Sequence, residues 1–181
     1  GGIGFYSVRL KDSGIKVDLT ATTRASLQRY TFPASDQARV MYPFLLPNEY
    51  ALHVLKAVVR RIGANEIEGT IEMHLPDVAY NGNQRYNLYF ISQFSRPFEA
   101  LGGWENLAGA DVRLKPRAYR PEAELQKDWQ GPKVMTDVPA VNFSGDCGAF
   151  VTFKTTAGEQ VAIRTGISLV SLEEARLNLE Q

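Results

Sequence analysis

Two histidines and a nearby glutamate have the side-chain types and spacing for acid–base chemistry. His74 follows Glu72 by two positions, so both side chains point to one side of an extended strand. His53 is the only other histidine. An imidazole and a carboxylate placed in this way can transfer the protons that open a sugar ring. Histidines in strands also serve structural roles, and the sequence does not give the distance between His53 and His74.

A second group of carboxylates, Glu66, Glu68 and Glu72, occupies alternate positions of one predicted strand. Cleavage of a glycosidic bond needs two carboxyl groups on opposite sides of that bond. Three carboxylates on one face of a strand do not form such a pair. We interpret them as a solvated face opposite the apolar residues between them, and we predict no catalytic residue in this sequence.

Patterns that bind metal ions or nucleotides are not found in the sequence. It has neither a C-x-x-C nor an H-x-x-x-H spacing and no EF-hand loop. The glycines around Cys147 lack the lysine of a phosphate-binding loop. We therefore predict no metal ligand, and we interpret Cys147, the single cysteine, as a small hydrophobe within a strand.

Trp104 and Trp129 are the candidate carbohydrate-binding residues. Both lie in a segment without regular patterning, where a tryptophan need not belong to the core. Aromatic faces stack on the apolar faces of sugars, which makes these two side chains candidates for sugar contact. The alternative is that each indole is buried to hold a long loop in place.

The composition indicates one domain without a polyanion-binding face. The chain has 181 residues, the size of a single domain. Lysine and arginine number 20, as do aspartate and glutamate, so no net charge attracts nucleic acid. No apolar run approaches the roughly 20 residues that span a bilayer, so we predict no membrane span.

Alternating apolar and polar residues predict a mainly β protein, an antiparallel β-sandwich in which short strands are separated by turn signals. Residues 51–62 fit both a helical stripe and a strand face, and we favour the strand. Residues 99–141 contain many glycines and prolines, and we predict an irregular insert there. The predicted strands are 5–10, 15–22, 25–32, 39–44, 67–74, 86–94, 148–155 and 161–170.

A short C-terminal helix is predicted from Ser171 onwards. Ser171 and Glu174 have the S-x-x-E spacing of a capping box. The helix reaches Gln181 without a glycine or asparagine after it as a stop signal. We expect residues 171–181 to be the start of a linker helix that leads into further protein.

Several strings of residues resemble the N-terminal domain of glycoside hydrolase family 92, the calcium-dependent exo-acting α-mannosidases. They occur in the family's order and cover most of the chain apart from the insert. The strings are GFYSV at 4–8, LTATTR at 19–24, RYTFP at 29–33, NEIEG at 65–69, YFISQFSRPF at 89–98, AFVTF at 149–153, TGISLVS at 165–171 and ARLNLE at 175–180.

This resemblance implies that residues 1–181 form a single sandwich of the galactose-mutarotase-like supersandwich kind. In such enzymes an (α/α)6 catalytic domain follows, and it supplies most of the catalytic residues and calcium ligands. The resemblance implies that this chain is a non-catalytic part of an inverting α-mannosidase, inactive alone, whose parent acts on terminal α-linked mannose of glycans. It also implies a bacterial parent that is periplasmic, bound to the cell surface or secreted.

Two other functions are considered beside this one. A stand-alone carbohydrate-binding module would use Trp104 and Trp129. A mutarotase-like sugar enzyme would use His53, His74 and Glu72. Without its catalytic domain the chain would expose the apolar face near its C-terminal helix, and we therefore expect a homo-oligomer.

Overall fold

The computed structural model describes residues 2–45, 52–75, 84–106 and 132–181, which form twelve strands and one helix. The predicted class is confirmed, since strands dominate and the helix is C-terminal. The elements are β1 (Tyr6–Arg9), β2 (Lys16–Ala21), β3 (Ala25–Phe32), β4 (Ser35–Pro43), β5 (His53–Gly63), β6 (Glu66–Leu75), β7 (Gln84–Phe94), β8 (Ala100–Asn106), β9 (Pro132–Met135), β10 (Ala140–Phe143), β11 (Cys147–Thr155), β12 (Glu159–Ser168) and α1 (Leu172–Glu180).

These strands form two antiparallel sheets. The larger sheet has eight strands in the order β1-β2-β3-β12-β7-β6-β5-β10, and the smaller has four in the order β4-β11-β8-β9. The inward-facing side chains of the two sheets form one core, which includes Phe32, Phe94 and Phe153. Burial of these large apolar side chains between two sheets is the main stabilising contribution of a sandwich.

Segment 51–62, which fitted both a helix and a strand, is extended from residue 53 onwards. Ala57 and Val59 are fully buried on the inner face of β5, while the residues between and beside them point outwards. β5 pairs with β6 across the turn at residues 64–65. The preference for a strand is therefore confirmed for residues 53–62.

The prediction of an irregular insert at 99–141 is wrong in its described parts. β8, β9 and the first two residues of β10 lie in this range, and β8 pairs with β11 from Ala100 to Glu105. Gly102 and Gly103 had suggested a break, but Gly102 is a strand position over which the Phe150 ring lies. A Cβ atom there would lie 2.4 Å from the Phe150 Cζ atom. Residues 107–131 lie outside the described part of the chain.

The C-terminal helix begins as its sequence predicts. Ser171 is extended and its Oγ accepts a hydrogen bond from the Glu174 backbone N–H at 3.1 Å. Ala175 and Leu179 are buried against Ile91, so α1 packs on the outer face of the larger sheet. Within the described residues, no helix is long and apolar enough to cross a membrane.

Candidate functional site

A groove of about 430 Å³ lies on the outer face of the larger sheet, beside the N-terminus of α1. We call it the charged groove, because most of its polar lining residues carry a charge. It runs across β5, β6 and β7. Its lining residues are Lys56, Val58, Arg60, Glu68, Gly69, Thr70, Glu72, Asn87 and Leu172.

The charged side chains meet on one face because side chains alternate along each strand and because the register of β5 and β6 sets them opposite each other. On β6, alternate residues point outwards while Ile67 and Ile71 are buried in the core. Arg60 of β5 lies opposite Glu68, and Lys56 lies opposite Glu72. Side chains directly opposite each other on one face of an antiparallel pair are close enough to interact. The β5–β6 hairpin therefore sets basic residues of one strand against acidic residues of the other.

The predicted solvated face of Glu66, Glu68 and Glu72 is wrong for two of its three members. The side chain of Glu68 is only 11% exposed and forms an ion pair with Arg60. That of Glu66 is 15% exposed and forms an ion pair with Arg176 of α1. These carboxylates are held by guanidinium groups, which stabilises the hairpin and the docked helix.

Glu72 stays partly exposed, at 40% of its side chain, and lies 4.0 Å from Arg85. A glycosidase pair needs two carboxyl groups free to face a sugar from opposite sides. Glu68 and Glu72 in the groove, and Glu66 outside it, each instead have a basic partner on the same sheet face or on α1. The glutamates and their basic partners therefore form a network of ion pairs and not a catalytic pair of carboxyl groups.

The structure brings His53 and His74 together. They lie directly opposite each other on β5 and β6, with ring centroids 5.9 Å apart and ring planes at 48°. Burial lowers the pKa of His53, and the neighbouring His74 adds to this effect. Glu72 lies on the same face of β6, as the spacing predicted.

Trp104 lies on the outer face of the smaller sheet, on β8, and is half-buried. Its ring stacks beside Phe150, with centroids 6.5 Å apart and planes at 21°. It also covers Gly148 of β11, where a Cβ atom would lie 2.2 Å from the indole. The Arg39 guanidinium lies 4.6 Å from the centre of the Phe150 ring. Trp104 is thus packed on one side, and Trp129 lies outside the described residues.

The sequence profile described as the glycosyl hydrolase family 92 N-terminal domain matches residues 2–168. This chain belongs to that family. No curated protein matches the sequence.

Solved structures of family 92 enzymes share the fold of this N-terminal domain. One is a family GH92 α-mannosidase from Bacteroides thetaiotaomicron in complex with mannoimidazole, which is 24% identical with a TM-score of 0.63. Another is a family GH92 inverting mannosidase from the same species, 20% identical with a TM-score of 0.62. The match covers 98% of this chain and 20% of the first structure, and 97% and 19% for the second. The chain thus spans about a fifth of the length of these structures.

Calcium, which the resemblance implies for the parent enzyme, does not fit the described residues of this family 92 domain. Calcium takes about six to eight oxygen ligands, mostly carboxylate and carbonyl oxygens. In residues 2–45, 52–75, 84–106 and 132–181, no group of three or more His, Cys, Asp or Glu side chains can hold a metal ion. Glu66 and Glu68 already have arginine partners. We assign no chemistry to calcium at these positions.

A second charge cluster surrounds Asp18 on β2, near the edge of the larger sheet in this family 92 domain. Asp18 is buried and accepts hydrogen bonds from the Ser7 hydroxyl at 2.7 Å and from Arg29 Nη2 at 2.9 Å. Lys16 Nζ lies 3.1 Å away. The Ser7 hydrogen bond, followed by those of Arg29 and Lys16, lowers the pKa of Asp18 from 3.8 to about 2.

Asp18 should therefore make the domain sensitive to acid. Because the pKa of Asp18 is lower in the folded than in the unfolded state, its stabilising contribution is complete above about pH 4 and is lost as the pH falls through about 2. We expect the difference in free energy of unfolding between wild type and Asp18→Asn to shrink over this range. Urea unfolding at successive pH values measures it. Asp12→Asn, in the exposed β1–β2 turn, is the control, and a constant wild type–Asp18→Asn difference would contradict the prediction.

The ion pairs of the groove and the Asp18 cluster in this family 92 domain were not predicted from the sequence. One signal was available for the groove, since Lys56 and Arg60 precede the turn at 64–65 and Glu68 and Glu72 follow it. A hairpin centred on that turn brings these opposite charges into register. No local signal indicated the pair between Arg176 and Glu66, which are 110 positions apart.

Proposed function

We propose that this chain is the non-catalytic N-terminal sandwich of an inverting, calcium-dependent α-mannosidase that acts on terminal α-linked mannose of glycans. The observation that carries the proposal is the family match over residues 2–168. The chain covers about a fifth of the solved family 92 structures, one of them described as an inverting mannosidase. The remainder of such an enzyme, in our proposal an (α/α)6 domain, supplies the catalytic groups and the calcium ligands.

The charged groove supports a scaffolding role. Its two glutamates are paired with Arg60 of β5 and Arg85 of β7, so they hold neighbouring strands together. Outside the groove, Arg176 of α1 pairs with Glu66 and holds the helix on the sheet. α1 is docked on the larger sheet beside the groove. We propose that α1 continues into the linker to the catalytic domain, which would then lie on this side of the sandwich.

The proposal is tested on a longer protein that contains this chain. That protein is expected to release mannose from α-1,2-mannobiose in the presence of calcium and to lose this activity when treated with a chelator. Deletion of residues 1–181 should abolish turnover. An enzyme that keeps full activity without these residues would contradict the scaffolding role. Activity that is unaffected by chelation would contradict the calcium requirement. We also propose that the parent enzyme is periplasmic, bound to the cell surface or secreted in a bacterium.

The second candidate is a stand-alone carbohydrate-binding module, which the half-exposed Trp104 favours. If Trp104 stacks on a sugar, Trp104→Ala should abolish saccharide binding in calorimetry, and Trp104→Phe should retain part of it because an aromatic face remains. Trp129→Ala tests the other tryptophan in the same titration. Saccharide binding that both alanine variants retain in full, or no binding by the wild type, would exclude the module.

We also propose that the chain forms a homo-oligomer in isolation. Leu169, Val170 and Leu177, near and within α1, are 66%, 74% and 52% exposed. Exposed apolar side chains at this density favour association. A hydrodynamic profile that stays monomeric at high protein concentration would contradict the proposal.

A further inference from the structure

His53 and His74 are brought into opposition by an irregularity in the β5–β6 ladder. The register between these strands shifts between Val54 and Lys56, which leaves Leu55 as an extra residue on β5. Continuing the register of the Lys56–Glu72 pair without this bulge would place Val54 opposite His74. The bulge instead pairs Val54 with Met73 and His53 with His74. Bulges commonly re-aim side chains at functional sites.

Packing in the core holds both imidazoles on the outer face. Val54 is 3% exposed and Met73 is 7% exposed, so the pair next to the histidines is anchored between the sheets. Because successive side chains of a strand alternate between faces, the next pair, His53 and His74, must point outwards together. The bulge in β5 and the buried pair of Val54 and Met73 therefore hold the two rings close together.

The separation of the rings suits two ligands of one metal ion. Zinc–nitrogen bonds of about 2.0–2.1 Å put each ring centre roughly 3.2 Å from the ion, so two ligating rings have centres roughly 5–6.4 Å apart. The observed separation of the His53 and His74 centroids is 5.9 Å.

The surroundings define which ions such a site would take. Glu72 is on the same face, but its Oε1 atom lies 4.0 Å from Nη1 of Arg85, the residue opposite His74 on β7, so its carboxylate already has a basic partner. Two imidazoles without a carboxylate suit borderline first-row ions and not calcium or magnesium. We infer that His53 and His74 form a two-imidazole site for a divalent transition-metal ion such as Cu²⁺, Ni²⁺ or Zn²⁺, with water completing the coordination.

Metal binding at this site would cross-link β5 and β6 at the end of the hairpin that is distant from its turn. The two histidines are 21 positions apart in the sequence, so the unfolded chain offers no comparable chelate. An ion that binds the folded state preferentially stabilises it in proportion to its concentration and affinity. We therefore expect a rise in melting temperature with added metal.

The chain is well suited to a clean test, because it contains no other histidine and its single cysteine, Cys147, is buried. The full chain without an affinity tag is titrated with CuCl₂, NiCl₂ and ZnCl₂ by calorimetry and by thermal unfolding. One ion should bind per chain, with the strongest binding for Cu²⁺. His53→Gln and His74→Gln should each weaken binding by about tenfold or more. Lys56→Gln, a matched change on the same face, should not weaken it, and CaCl₂ and MgCl₂ should have no effect.

The spectrum of bound Cu²⁺ gives a second readout that does not depend on the variants. Electron paramagnetic resonance of the wild-type chain should show hyperfine coupling to two imidazole nitrogens. Coupling to one nitrogen only, or an affinity unchanged in His53→Gln or His74→Gln, would overturn the inference. Absence of binding to the wild type by all three ions would overturn it as well.

Discussion

Gly166→Val is expected to lower the free energy of unfolding by about 3 kcal/mol, because the strand position beneath α1 has no room for a side chain. A Cβ atom at residue 166 would lie 2.3 Å from the Ala175 carbonyl oxygen and 2.6 Å from the Leu179 backbone nitrogen. Backbone atoms cannot rotate away as a flexible side chain can, so the helix must shift as a whole. The buried contacts of Ala175 and Leu179 would then be lost.

Two measurements check this result. The melting temperature should fall by roughly 6–12 °C, at about 2–4 °C per kcal/mol for a domain of this size. Trypsin should also cleave after Arg176 faster than in the wild type, because a detached helix exposes its backbone. Gly63→Ala is the matched control, since a Cβ atom there would lie 3.7 Å from that of Glu66, an ordinary contact. A Gly166→Val protein as stable and as resistant as the wild type would show that α1 does not pack as described.

Phe94→Ala is expected to cost about 3–5 kcal/mol, the range for removing a large aromatic side chain from a core. Phe94 is 1% exposed, and its ring centroid lies 5.4 Å from that of Phe98 and 5.7 Å from that of Phe153. Phe94 comes from the larger sheet and Phe153 from the smaller, so the change removes a contact between the two sheets. Domains are typically stable by only about 5–15 kcal/mol, so the variant should be marginally folded.

Chemical unfolding monitored by circular dichroism measures this loss. Leu27→Ala is the control, since Leu27 lies on the same sheet but is 44% exposed. That change should alter the free energy of unfolding by no more than about 0.5 kcal/mol. Equal effects of the two substitutions would mean that the core does not lie between the sheets at Phe94.

The strands with clear alternation could be predicted from the sequence, and those whose order depends on distant partners could not. The apolar and polar residues of β2 alternate in the sequence, and this period of two correctly predicted a strand, although Asp18 on its polar face is buried. Gly102 on β8 carries no such signal, because the Phe150 ring that covers it belongs to the neighbouring strand. A local reading therefore took β8 for part of an irregular insert.

The positions of the histidines and glutamates in the candidate site could likewise be predicted only in part. The spacing of His74 and Glu72 placed both on one face, and this is confirmed. The proximity of His53 depends on the bulge at Leu55, and no residue type in that stretch marks a bulge. Likewise the burial of Glu66 depends on Arg176, which reaches it only after α1 has docked.

We propose that this chain scaffolds an α-mannosidase without performing the chemistry itself. A mannose-release assay of the purified chain on α-1,2-mannobiose with calcium tests this. We predict release no faster than in buffer alone, since the described carboxylates of the groove are engaged in ion pairs. Mannose release that increases with the concentration of the chain and disappears when the chain is unfolded would contradict the claim.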